Sequence, residues 1–337
     1  MLFRSARERV SLSGPAVISG KLAPELVELR DAGLTDWGAW IHYEDGGVIR
    51  ASGLITPATL DGETLTLECE GASTYPHGIP YLGSYSVLQT DAADIVREMW
   101  RHIQSYPDGD LGVTVTGFTG VLLGQAKTDE NPDLGPYELQ WWNDTDCGDE
   151  ITKLATETPF DFIERDQWNT AHTAVEHYID IAPRIGRRRD DLRFAEDENI
   201  LQAVTVAQNT DYANTIIGSG SGEGSAKIHQ TFSTTTPGKL RRCYVLTNTT
   251  VTAQTRMLSL IQAELPRHQY PVVVAQIVVD AHHDNAPLGA YQCGDDILVQ
   301  ATVPYLGDIR LWHRITGFEV TPDADTVTID LTRIDPN

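Results

Sequence analysis

"WGAWIHYEDGGVIRASGLI", Trp37 to Ile55, holds two short apolar runs joined by Asp45-Gly46-Gly47. Glycine adopts positive φ at no steric cost, and the tight turns of β-hairpins need that backbone, so this pattern predicts a hairpin. The neighbouring stretch "ETLTLECEGAS" alternates Leu65, Leu67 and Cys69 against Thr64, Thr66 and Glu68. A period of two is that of a strand with one buried face. The chain closes in the same way: "DIRLWHRITGFEV", a turn at "TPDAD", then "TVTIDLTRI", where Val327, Ile329 and Leu331 alternate with Thr326, Thr328, Asp330 and Thr332. From Tyr270 onward the pattern is β to the end.

Helical periodicity interrupts this only in places. In "TDAADIVREMWRHIQSYPDGD", Ile95, Met99 and Ile103 recur every four residues with Val96 and Trp100 beside them, one apolar stripe. Asp91 and Asp94 open that helix and Pro107-Asp108-Gly109 stops it. A second, shorter helix is expected to begin at Thr158-Pro159, with Thr158 as cap, Pro159 at the first helical position and Asp161 three residues on. "TAVEHYIDIA" alternates as a strand; "NILQAVTVAQNT" and "YANTIIGSG" are strand-like; "RMLSLIQAELPRH" predicts a helix stopped by Pro266.

Composition narrows the function. The hydrophobic fraction of 41% over 337 residues suffices for packed cores and argues against global disorder. A formal charge of -23 argues against a surface that wraps duplex DNA, which requires Lys and Arg to neutralise phosphates. The densest acidity lies between residues 91 and 160, with 14 Asp and Glu against 4 Lys and Arg. Cys69, Cys147, Cys243 and Cys293 form no CxxC pair, so neither a thiolate zinc site nor a disulfide framework is expected. "MLFRSARERVSL" lacks the apolar core of about 7 to 15 residues that a signal peptide carries. No run approaches the roughly 18 apolar residues of a membrane span.

Catalytic motifs are near misses. "IIGSGSGEGSAK" is glycine-rich, but Glu223 stands where a dinucleotide fingerprint needs its third glycine, and the "KIHQTF" that follows reads as strand. "GPAVISGKL" has one residue too many between its glycines for a phosphate loop, and Leu22 replaces the magnesium-holding Ser or Thr. There is no HExxH and no GxSxG. "DAHHDNAP" gathers Asp280, His282, His283 and Asp284, a candidate metal cluster if it lies on a strand and a solvated turn otherwise. The acidic pairs Asp190/Asp191 and Asp295/Asp296 have the residue types of glycosidase carboxylates, but 48 carboxylates produce such pairs by chance. Trp37, Trp40, Trp141 and Trp142 have the faces to stack sugars, although paired tryptophans near strands more often serve a core or an interface. No catalytic, cofactor or metal residue is assigned. The basic run "PRIGRRRDDLRFAEDENI" supplies Arg187, Arg188, Arg189 and Arg193 as candidate interface residues. Asp190, Asp191, Glu196, Asp197 and Glu198 stand close enough in sequence to pair with them locally.

Several stretches taken together resemble the minor tail proteins of siphophages infecting actinobacteria, and more closely the baseplate-hub or tail-tip hub family. They are "DIVREMWRHIQSYPDGDLGV", "TPFDFIERDQWN", "APRIGRRRDDLRFAEDENI", "ANTIIGSGSGEG" and "CGDDILVQA" with its hairpin to Arg333, spread over roughly residues 40 to 334. None is catalytic; the likeness lies in their order and spacing. The resemblance implies a mainly β (α+β) structural virion protein with two tube-type β-barrel domains, a mixed α/β outer domain and a short helical insertion. On this chain that places the first barrel at 1–90, the outer domain at 91–195 and the second barrel at 196–337, with a peripheral helical insertion at about 241–267. It implies a homotrimer that adapts a sixfold tail tube to a threefold tip. Its partners would be the distal tail ring, the tape-measure protein and other minor tail proteins, in a virion assembled in the host cytoplasm. Viral DNA would pass without specific binding, and no cofactor or enzymatic activity is implied. The competing readings are a distal tail or receptor-binding component, a virion-associated cell-wall hydrolase and a carbohydrate-binding β-domain.

Overall fold

Gly46 and Gly47 have φ of 58° and 84°, the left-handed pair that a two-residue hairpin turn requires. They join the antiparallel strands Trp40–Asp45 and Val48–Ile55 as the sequence predicts. This geometry is that of a computed structural model, which describes residues 5–22, 34–57, 59–61, 64–126, 135–208, 211–235, 237–270, 272–304, 307–321 and 324–334. The chain divides into two compact units, Met1–Ile185 with Gly317–Thr326, and Gly186–Thr316 with Val327–Asn337. Both are mainly β, and the described residues contain three α-helices.

In the first unit, residues 317–320 pair with Ser5–Ser11, and the sheet continues antiparallel through Val17–Leu22, Thr64–Glu70, Val48–Ile55 and Trp40–Asp45. The alternation read from 64–70 holds: Leu67 and Cys69 are buried against Ile18, Ala51 and Ile55, while Glu68 faces water. A second sheet sets Asp161–Trp168 antiparallel to Val175–Ala182, which takes Val113–Gly117 as a parallel neighbour. Helix α1, Ala92–Ile103, lays its predicted stripe on that sheet. Ile95, Val96, Met99, Trp100 and Ile103 share one core with Val113, Val115, Ile179 and Ile181. Asp91 caps the helix by accepting the Ala93 N–H.

The helix expected to start at Thr158-Pro159 does not exist. Helix α2 instead spans Cys147–Glu157 and ends there, and Asp161–Trp168 is a strand. Thr158 is the C-cap; its N–H and its Oγ1 both donate to the Leu154 carbonyl. A proline just past a C-cap cannot continue a helix, so the same Thr-Pro pair marks a stop as readily as a start. The true start is Asp146, whose side chain accepts the Asp149 N–H.

In the second unit, Asp296–Val303 forms a hairpin with Gly307–Thr321, and Phe194–Ala195 runs parallel to Val299 and Gln300. Thr326–Arg333 pairs with Gly307–Thr321 and with Gln276–Asp280, and Val327, Ile329 and Leu331 are buried as their alternation requires. Of the described residues in the strand-like segment after Asn199, only Val206–Gln208 forms a strand, paired with Val272–Val274. A separate small sheet orders His229–Ser233, Thr215–Ser219 and Cys243–Thr247. Helix α3, Gln254–His268, covers it with Met257, Leu260, Ile261 and Leu265 around Ile216. Pro266 does not stop this helix but sits in its last turn. Proline has no N–H to donate to the Gln262 carbonyl one turn earlier, and Gln262 is exposed, so the missing bond leaves no buried acceptor. Among the described residues no sheet closes into a barrel.

Met99 is fully buried in the α1 core, so Met99→Ala is expected to cost about 2–5 kcal/mol from lost transfer energy plus the cavity left behind. Chemical denaturation followed by circular dichroism measures this; a change below about 1 kcal/mol would show that α1 is not the core element described.

Candidate functional site

The arginine segment resolves into a clamp inside the second unit. Arg189 is only 8% exposed and Asp295 only 2%. Arg189 Nη1 donates to Asp295 Oδ2 at 3.3 Å and to the Ala290 carbonyl, while its Nε and Nη2 form a bidentate pair with Asp191 at 2.8 and 2.7 Å. Asp295 also accepts the backbone N–H groups of Arg187 at 2.8 Å and Gln292 at 3.2 Å. The backbone reinforces this: Arg189 N donates to the Asp296 carbonyl and Asp296 N to that of Arg187. Gly186, at φ 85°, lies so close to Gly294 that a Cβ there would strike its carbonyl. Segment 186–191 is thus stitched to segment 290–296, and the guanidinium is the stitch.

The other arginines pair closer to home. Arg188 donates to Asp190 at 2.9 Å and lies over the Trp312 ring at 3.9 Å; Arg193 meets Glu198 at 2.9 Å. Asp190, Asp191 and Glu198 were legible partners; Asp295, more than a hundred residues away, was not. The Arg189 guanidinium holds the Asp191 carboxyl down at about 2. Asp190, Asp191 and Asp295 are therefore engaged with arginines.

"DAHHDNAP" folds as a turn. His282 N donates to Asp280 Oδ1 and Asn285 N to His283 Nδ1, the pattern of side chains closing their own backbone. Among the described residues, the only trio whose ligand atoms lie within 4.8 Å of one another is His77, Asp146 and Asp149. There Asp146 is occupied as the α2 cap and as acceptor of the Gly78 N–H, and His77 and Asp149 are exposed. Helix capping accounts for the arrangement. The glycine-rich segment forms the strand Thr215–Ser219, a 3-10 turn at Gly224–Ala226 and the strand His229–Ser233, so no α-helix N-terminus follows it.

Ionisable groups gathered in the first unit, Glu8 and His177 among them buried, were invisible to sequence reading. Trp40, His177 and His42 stack, with ring centroids 4.1 Å apart for the first pair and 5.7 Å for the second. His177 Nδ1 contacts Asp166 Oδ1 at 2.6 Å, and His42 Nδ1 contacts Ser52 Oγ at 2.7 Å. Burial, then the neighbouring His177, pulls the His42 pKa below its ordinary value. The carboxylate and the hydroxyl thus lie on different histidines, so no Ser-His-Asp relay exists, and Ser52 at 1% exposure offers a substrate no access. Glu164 accepts the N–H groups of Ala16 and Ser73, yet burial pushes its pKa up to about 7. Glu8, 2% exposed, is likewise pushed up to about 7 by burial against the opposing pull of Arg50.

The tryptophans divide. Trp40, half-buried, belongs to the stack on His177; Trp141 and Trp142, 57% and 60% exposed, form an edge-on pair at 5.6 Å. Cys69, Cys147 and Cys293 are buried and Cys243 is exposed, and none of the four is in a disulfide. No helix among the described residues is long and apolar enough to cross a membrane.

The sequence matches no protein-family model, and no curated protein resembles it in sequence. Solved structures do resemble the fold. The 43 kDa tail protein of prophage MuSo2 from Shewanella oneidensis aligns over 99% of this chain and 95% of its own, with TM-score 0.60 and 12% identity. The tail protein from Neisseria meningitidis MC58 aligns over 98% and 92%, with TM-score 0.56 and 12% identity. Prophage tail protein gp18 from Listeria monocytogenes EGD-e aligns over 97% and 87%, with TM-score 0.53 and 12% identity. This chain has the fold of phage tail proteins. Identity this low carries the fold and nothing finer, so no residue role transfers from these three.

Two predictions follow from the buried charges. Asp295→Ala removes the carboxylate facing a buried guanidinium and is expected to cost about 3–5 kcal/mol, against within about 0.5 kcal/mol for Asp190→Ala at the exposed Arg188 pair. Equal denaturation midpoints for the two variants would contradict the clamp. Glu8 is disfavoured as an anion in the folded state, so its contribution to stability is complete below its ordinary 4.5 and is lost as pH rises towards about 7. Glu8→Gln is therefore expected to gain on the unsubstituted protein between those values, by about 3 kcal/mol at most, and to stay level above pH 7. A pH series of urea midpoints reads this; a parallel pair of curves would contradict it.

Proposed function

We propose that this chain is a non-enzymatic structural component of a phage tail, and within the tail a hub, or minor tail protein, at the tip. The observation that carries the reading is the shared fold along almost the whole of both chains, 99% here and 95% in the Shewanella tail protein. The finer reading follows the resemblance in the sequence: two tube-type β-domains in each chain, with three copies matching a sixfold tube to a threefold tip. The distal tail ring and the tape-measure protein would be its neighbours, and the assembled virion its location.

Charge supports the conduit role. A wall that DNA slides past must not hold phosphates, and a net charge of -23 per chain repels a polyanion while water and counterions keep it mobile. Exposed arginines on such a wall would act as a brake. Arg189 is buried and Arg188 and Arg193 hold carboxylates of their own chain, so the segment Arg187 to Arg193 offers a passing phosphate little free charge, and we place it on a face away from the axis.

Mass spectrometry of purified tails, with gold-labelled antibody against this chain, tests the reading. The chain is expected at stoichiometric level, with label confined to the end of the tail away from the capsid. Its absence from assembled particles would overturn the proposal.

A further inference from the structure

Two exposed features of this chain, one in each unit, are opposite in charge and both carry bare apolar side chains. In the first unit, the Trp141 and Trp142 side chains stand in water at the end of the strand Tyr137–Gln140. The segment around them, 135–150, holds exposed Glu138, Asp144 and Asp149 and neither Lys nor Arg, while Glu150 is buried and paired with Lys153 and Asp146 caps α2. An aromatic pair with an acidic rim suits a partner that brings an apolar anchor and cations to lie on the indole faces.

The second unit carries such a knob. Leu240 is 87% exposed, the most exposed of the large hydrophobic side chains among the described residues, and Lys239, Arg241 and Arg242 beside it are exposed as well. The loop is held out rather than left loose. Buried Asn214 donates from Nδ2 to the Leu240 carbonyl at 3.2 Å and from its backbone N–H to the Arg242 carbonyl at 3.1 Å, and its Oδ1 accepts the Arg242 N–H at 3.0 Å. No described carboxylate pairs with Lys239, Arg241 or Arg242, whereas Arg188, Arg189 and Arg193 already hold carboxylates of their own chain. In a molecule with 48 acidic and 25 basic residues, three cations with no ion pair among the described residues, set around a bare leucine, form an uncommon surface.

We infer that the Lys239–Arg242 loop of one copy docks on the Trp141–Trp142 patch of a second copy. Leu240 packs against the indoles, and the guanidiniums face Asp144 and its acidic neighbours. Donor and acceptor surfaces differ, so the contact is head-to-tail, the kind that generates a closed ring when its rotation permits. The inference rests on the reading of the chain as a part repeated around an axis, and it names the surfaces that would join the repeats.

Sedimentation velocity of the full chain at about 0.2 mM, at low salt and with reductant to keep Cys243 from cross-linking, tests it. Association is expected, and it should be lost at about 0.5 M NaCl, where the Debye length is roughly 4 Å. Arg241→Glu with Arg242→Glu, and separately Trp141→Ala with Trp142→Ala, should each raise the dissociation constant at least about tenfold while leaving circular dichroism unchanged. Mixed together, the two variants should give a one-to-one dimer that grows no further, because one intact junction remains. A chain that stays monomeric at low salt, variants that associate as well as the unsubstituted protein, or a mixture without the dimer would each overturn the inference. Presence of the chain in tails is read independently of all three, so a failed junction would leave the structural role standing.

Discussion

A sheet with one dry face and one wet face fixes its own register, because a slip of one residue turns every apolar side chain outward. Both units are built on that constraint. In Thr64–Glu70 it buries Leu67 and Cys69, and in Thr326–Arg333 it buries Val327, Ile329 and Leu331. The helices are secondary to it: α1 and α3 each seal one sheet with a stripe of four or five side chains. A fold so specified needs no conserved catalytic residue to persist, which fits its recurrence at 12% identity in tail proteins of three bacteria.

Charge sits on top of this framework in two forms. Most carboxylates are on the surface and give the chain its large negative balance. A few ionisable groups are inside, where each has one consequence. Asp295 and Arg189 join segments far apart in sequence, Glu164 joins two backbone segments of the first unit, and Glu8 is held near neutrality at a cost to stability above acid pH. The Arg189–Asp295 contact resists loss of Asp295 because the buried guanidinium would be left with Asp191 as its sole carboxylate, at the segment's outer side.

Local signals were legible in the sequence wherever one segment dictates its own structure. Asp45-Gly46-Gly47 specified its hairpin, Asp91 and the spacing of Ile95, Met99 and Ile103 specified α1, and the runs of alternating residues specified their strands. Helix α2 was missed because Gly148 and a run of acids obscure its start, and Thr158-Pro159 carries a signal that serves either helix end. The partnerships of Arg188, Arg189 and Arg193 with Asp190, Asp191 and Glu198 were within reach of sequence distance. Those of Arg189 with Asp295, and of Trp40 with His177 and His42, depend on which strands and loops become neighbours, and no periodicity encodes that.

The central claim is that this chain forms part of the wall through which a genome leaves its capsid. Electron cryo-microscopy of the tail tip tests it most directly. The account predicts density for this chain in a ring about the tail axis, β-sheets of both units bordering the lumen and carboxylates outnumbering cations on that surface. Density that places the chain off the axis, or a lumen surface dominated by its arginines and lysines, would contradict it.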